Sequence, residues 1–181
     1  MPSPTPSPTP SPTPSPTPSP RSGPLRVCFV CTGNICRSPT AEVIFRAQVR
    51  AAGLSDRFTC SSAGLGDWHV GEPADHRALA AMQACGYDGS THRAAQWQAE
   101  HWDAVDVVVA LDAGHLDALR AQAPPGREVL LLRDCDPAVA GRGLDVPDPY
   151  YGGDQGFAHV LAMIESASAG LLSRLRERLH G

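Results

Sequence analysis

The sequence predicts an α/β fold. The expected form is a single three-layer domain, its four-stranded parallel sheet flanked by helices on both faces, with a P-loop after the first strand. Three observations carry that expectation. Short, largely apolar runs at Leu25–Cys31, Asp106–Leu111 and Glu128–Leu132, with a further strand candidate at Arg57–Ser62, alternate with segments whose apolar residues recur at helical spacing. Several of these runs are apolar almost throughout, as strands covered on both faces must be. Setting aside the first 24 residues of the 181 leaves a length that suits one compact domain rather than two.

The elements follow in order. Ten of the 18 prolines fall at the even positions from Pro2 to Pro20, with Ser or Thr between them and no charged side chain. Such a segment has nothing to bury, so residues 1–24 are expected to be a disordered tail ahead of a domain over 25–181. Each Ser or Thr before a proline is biased to extended geometry, which makes a semi-stiff spacer of about 3 Å per residue. No P-x-x-P spacing occurs within it. Leu25–Cys31 then reads as a buried strand that stops at Thr32-Gly33-Asn34. A helix opens at Ser38-Pro39, with Ser38 as its cap and Pro39 in its first turn. Ala41, Ile44, Phe45 and Val49 form its apolar stripe, and Gly53 ends it.

Arg57–Ser62 reads as the second strand, followed by a Gly-rich loop through Gly71. Asp75–Cys85 reads as a helix closed by Gly86. Asp106–Leu111 and Asp112–Gln122 form the next strand and helix, and Glu128–Leu132 the fourth strand. A long loop rich in Asp, Gly and Pro runs to Gly153, and Phe157–Leu179 closes the chain as an amphipathic helix. In such sheets ligands bind beyond the carboxyl ends of the strands, where the first loop lies.

Composition excludes several classes. The formal charge is −4, and the chain has 15 arginines but no lysine. No basic stripe marks a nucleic-acid partner. No uninterrupted apolar run reaches the roughly 18 residues of a membrane span, and the N-terminus lacks a signal-peptide pattern, so the expected location is cytoplasmic, away from membranes. Six cysteines in a domain able to build its own core are expected as reduced thiols. One C-x-x-C pair without a second, and histidines without helical H-x-x-x-H spacing, predict neither a metal site nor a cofactor.

The informative segment is Cys31-Thr32-Gly33-Asn34-Ile35-Cys36-Arg37-Ser38. A cysteine at a strand's end and an arginine at a helix's start enclose a loop whose backbone N–H groups can converge on an anion. Arg37 adds a permanent planar charge able to grip two phosphate oxygens. The same positive field favours a thiolate at Cys31, a nucleophile held beneath a phosphoryl group. G-x-G-x-x-G is absent, and without lysine no Walker loop can exist. Breaking the ester needs a proton for the leaving oxygen, and Asp148 falls on the same rim. Asp-Pro alone is an ordinary turn, but Tyr150 and Tyr151 beside it suit an aromatic substrate. Trp68 reads the same way or as a ring packed over the core. His92 reads as structural, and His69 stays ambiguous.

Val30–Pro39 resembles the signature loop of the low-molecular-weight protein-tyrosine phosphatases. Ser61–Gly64, Gly66–Gly71, Ser90–Gln96 and Asp148–Gly152 resemble further blocks of that family in the same order, from Leu25 to the end, and its actinobacterial branch most. The resemblance implies hydrolysis of phosphotyrosine in protein substrates through a cysteinyl-phosphate; no cofactor is expected, and the expected state is a monomer or weak self-associate. It implies Cys31 as nucleophile, Arg37 as phosphate clamp, and Asp148 as acid and then base. Thr32, Gly33, Asn34, Ile35, Cys36 and Ser38 would complete the phosphate-binding loop, with Ser38 bonded to Cys31. Ser62 and His92 would support a left-handed Asn34, and Trp68, Tyr150 and Tyr151 would contact the substrate ring. Relatives often carry an acidic residue where Gln155-Gly156 stands. Cys36 could close a reversible disulfide with Cys31, or simply fill loop space. The rival readings are a thioredoxin-coupled arsenate reductase of the same fold and a non-catalytic phosphotyrosine-binding module.

Overall fold

The computed structural model describes residues 23–139 and 144–180. The expected tail, apart from Gly23 and Pro24, lies outside the described residues. Among these the chain runs β1 (Leu25–Cys31), α1 (Arg37–Ala51), β2 (Phe58–Gly64), α2 (His76–Ala84), α3 (His101–Ala104), β3 (Val107–Ala110), α4 (Ala113–Gln122), β4 (Glu128–Leu131), a 3-10 turn (Leu132–Cys135) and α5 (Asp154–His180). The sheet is parallel throughout, in the order β2-β1-β3-β4. Chain direction across the sheet therefore reverses between β1 and β3. The loops leaving these neighbouring strands part in opposite directions and open a crevice at their carboxyl ends.

Side chains alternate along β1, so each face of the sheet gathers its own core. Val27 and Phe29 pack with Phe45 of α1, Met82 of α2 and Ile164 and Leu171 of α5. Cys28 and Val30 face the other way, onto Leu119 of α4 and Trp102 of α3. Phe45 meets Phe29 and Phe58 edge-on, with centroids 5.5 and 5.8 Å apart. Such pairs contribute about 0.5–1.5 kcal/mol each beyond their burial. This three-layer arrangement matches the expected fold class.

The differences have physical reasons. β2 runs to Gly64 rather than Ser62, because Ala63 and Gly64 continue the ladder beside Val30 and Cys31. The single turn of α3 is too short to show a period in sequence. α5 starts at Asp154, not Phe157. Its first-turn N–H groups need no intrahelical partner, so Gly156 costs little there, and the Asp154 carboxylate favours that end of the helix. By length and composition alone α5 could cross a membrane, although polar residues interrupt its apolar ones. Its stripe of Phe157, Leu161, Ile164 and Leu171 is buried in the core instead.

Candidate active site

The site grows from the loop joining β1 to α1. Asn34 lies at its apex, fully buried, with φ +58°. That left-handed backbone is costly for most side chains and tolerated by asparagine. Four hydrogen bonds hold it there. Its Nδ2 donates to Ser38 Oγ (2.8 Å) and Ser62 Oγ (2.9 Å), its Oδ1 accepts the Ala95 N–H (2.9 Å), and its carbonyl lies 2.7 Å from His92 Nε2. Ser62 in turn donates to Glu42 Oε2 (2.6 Å). Ser62 and His92 therefore both contact Asn34 from outside the loop. Gly64 passes so close that a Cβ there would stand 2.9 Å from both Gly33 C and Thr32 O.

Ser38 corrects one expectation. It does not cap α1: the cap position falls to Cys36, with no side-chain cap hydrogen bond. The Ser38 hydroxyl is turned inward, 2.9 Å from Cys31 Sγ. The end of α1 thus leaves amide donors for an anion in the loop.

Arg37 is almost completely buried, and four acceptors offset the cost of burying its charge. Nη1 donates to Asp112 Oδ2 (2.8 Å) and the Val146 carbonyl (3.1 Å). Nη2 reaches Asp148 Oδ2 (3.2 Å) and Thr32 Oγ1 (3.4 Å). Asp112 also accepts the His115 N–H at the start of α4 (2.8 Å), and His115 Nε2 lies 2.8 Å from Thr32 Oγ1. Neither Asp112 nor His115 stands out in the sequence as a site residue. Asp112 is legible as a helix start, but its link to Arg37 is a tertiary contact without a local signal.

Burial pushes His115 down to about 4, with Arg37 adding to the shift and Asp112 opposing it. The ring is therefore neutral at pH 7. The unfolded chain binds this proton near pH 6.5, so the contribution to stability is complete above that pH and lost as pH falls toward 4. His115→Gln is expected to flatten that part of the pH–stability curve, read from urea midpoints; an unchanged slope would refute the assignment.

A cavity of about 350 Å³ opens above the loop. Cys31, Cys36 and Arg37 line it at the loop together with Thr32, Gly33 and Ile35. Trp68 and His69 line it from the β2–α2 connection, and Asp148, Tyr150 and Tyr151 from the segment before α5. Trp68 is 70% exposed and Tyr151 93%, so neither ring is core. Trp68 lies across Gly66, where a Cβ would stand 1.8 Å from its ring. His69 Nδ1 lies 2.7 Å from Glu72 Oε2. Burial pushes the Cys36 thiol up to about 12.

The family model described as "Low molecular weight phosphotyrosine protein phosphatase" matches residues 26–180. This chain belongs to that family. A low molecular weight protein-tyrosine-phosphatase of Streptomyces coelicolor is 57% identical over 159 residues, covering 86% of this chain and 96% of the relative. Phosphatase A of Mycobacterium tuberculosis is 50% identical over 158 residues, covering 87% and 96%. A crystal structure of a protein tyrosine phosphatase from Entamoeba histolytica superposes with TM-score 0.80 at 30% identity, covering 84% of this chain and 97% of that one.

The protein is thus a phosphotyrosine phosphatase, a hydrolase of phosphate monoesters, and the rival readings are not favoured. An arsenate reductase would relay oxidation through two further neighbouring cysteines. Here Cys85 is exposed in α2's C-terminal cap, while Cys60 lies in β2 and Cys135 in the 3-10 turn. A binding module that had lost its chemistry would lack Cys31, Arg37 or Asp148; this phosphatase gathers all three at one cavity.

Proposed function

We propose that this phosphatase works in two steps through Cys31. The phosphate of a phosphotyrosine side chain sits over the loop amides and the Arg37 guanidinium, with its ring between Trp68 and Tyr150-Tyr151. The Cys31 thiolate attacks phosphorus as the bond to the phenolic oxygen breaks, and Asp148 gives that oxygen its proton. Asp148 then takes a proton from water as the water attacks the cysteinyl-phosphate. Inorganic phosphate leaves and the thiolate returns. Ser38 steadies the thiolate through its hydroxyl. Asn34, supported by Ser62 and His92, keeps the loop in its anion-receiving shape.

The observation that carries this reading is the meeting of Cys31 Sγ, buried Arg37 and Asp148 at one cavity walled by exposed aromatic rings. Acid quench during turnover of a phosphotyrosine peptide, followed by mass spectrometry, should find the phosphoryl group on Cys31. A phosphoryl group on another residue, or on none, would overturn the mechanism.

Protein-borne phosphotyrosine is the substrate class, and we place the enzyme in the cytoplasm as a monomer or weak self-associate. Six unpaired thiols suit a reducing compartment. A formal charge of −4 without a basic stripe argues against nucleic-acid partners.

Cys31 and Cys36 also form a redox pair in this reading. Peroxide converts the Cys31 thiolate to a sulfenic acid, and the Cys36 thiol then displaces water to close a disulfide. Thiols should restore activity after peroxide in the parent enzyme but not in Cys36→Ser. Equal recovery would refute the pairing.

A further inference from the structure

Arg77 stands at the start of α2, outside the cavity lining, and neither the sequence motifs nor the mechanism employ it. Its Nε and Nη2 form a two-point ion pair with Asp75 (3.0 and 2.9 Å). Nη1 donates to the Gly152 carbonyl (3.2 Å). The guanidinium carbon lies 5.6 Å from the Tyr150 ring centroid and 4.6 Å from that of Phe157. One side chain therefore holds a carboxylate, a carbonyl and two rings from three parts of the chain.

Its two ends matter most. Asp75 caps α2 by accepting the Arg77 N–H (2.9 Å), and its own N–H donates to the Ile35 carbonyl (2.8 Å) inside the phosphate-binding loop. At the other end, residues 148–152 form a tight turn. Asp148 Oδ1 accepts the Tyr150 N–H (3.1 Å), and the Gly152 N–H closes onto the Pro149 carbonyl (2.9 Å). Holding the Gly152 carbonyl and the Tyr150 ring fixes that turn and hence the direction of Asp148 Oδ2, now 3.2 Å from Arg37 Nη2. Asp75 is largely buried, unlike the partners of solvent-exposed pairs whose contribution is small.

We infer that Arg77 is a positioning residue for the acid step, a strut that sets the Asp148 turn against the loop carrying Cys31. The inference rests on the assignment of Asp148 as the proton donor. Arginine suits the task because its planar fork binds a carboxylate at two points while its faces stack on rings.

The test is kcat/KM for two aryl phosphates, with phosphate inhibition as a measure of loop integrity. Phenyl phosphate leaves as a phenol with a pKa of about 10, like tyrosine, and needs the proton. 2,4-Dinitrophenyl phosphate has a far more acidic leaving group and does not. Arg77→Ala is expected to lose about tenfold on phenyl phosphate, part of the 10²–10⁴ that acid catalysis contributes, and less than about twofold on the dinitrophenyl ester. Phosphate inhibition should be unchanged. Arg77→Lys should show the same pattern, since an ammonium cannot fork or stack in this way. Asp75→Asn keeps a helix-capping side chain and should show the pattern in milder form, so it carries the test if Arg77→Ala does not fold.

Equal losses on both esters, or none on either, would overturn the strut. Asp148→Ala run alongside separates the two ideas. If it shows the leaving-group pattern and the Arg77 variants do not, only the strut falls. If Asp148→Ala lacks the pattern, the acid assignment falls and takes the strut with it.

Discussion

Cys31→Ser is expected to reduce turnover of phosphotyrosine peptides to the level of buffer, while phosphate or vanadate binding persists. The substitution is nearly isosteric and keeps an atom within reach of the Ser38 hydroxyl, so the loop has no reason to collapse. On the proposed route what vanishes is the nucleophile, because a serine hydroxyl is a far weaker one than a cysteine sulfur. Anion affinity should hold, since the loop amides and Arg37 are untouched. Steady-state assays and oxyanion titration check both halves. Substantial turnover by the variant would sink the cysteinyl-phosphate route.

Asp148→Ala is expected to cost about two to four decades in kcat/KM on tyrosine-like leaving groups, and much less where the leaving group needs no proton. Binding should not suffer. Asp148 lies 3.2 Å from Arg37 Nη2, so removing it takes a carboxylate from the place a phosphate must approach. Arg37 keeps Asp112 at 2.8 Å and the Val146 carbonyl, and its position should survive. An inhibition constant for phosphate that weakens in the variant, or a flat response to leaving group, would contradict the assignment.

The sequence made the strand–loop–helix around Cys31 legible because its signals are local: an apolar run, a Gly-Asn turn and a helix start within fifteen residues. Three of the strands and the parallel sense of the sheet followed from apolar runs alternating with helical stripes, whereas Arg57–Ser62 offered only Phe58 and Cys60 as apolar signals. The Ser38 cap failed because local propensity could not register a competing tertiary claim on the same hydroxyl, from Cys31 and Asn34. Asp112 meets Arg37 across 75 positions, and Arg77 meets Gly152 across another 75. Neither pairing leaves a periodic or composition-based trace. Asn34 falls between these extremes. Its tolerance of a left-handed backbone is intrinsic, but its partners Ser62, His92 and Ala95 come from distant segments.

The contact between Arg37 and Asp148 means the empty enzyme carries its own competitor. A carboxylate already lies 3.2 Å from Arg37 Nη2, so an incoming dianion must displace it from that side of the guanidinium. In the empty enzyme the chain's own carboxylate holds that position, and anion binding exchanges one ion pair of Arg37 for another.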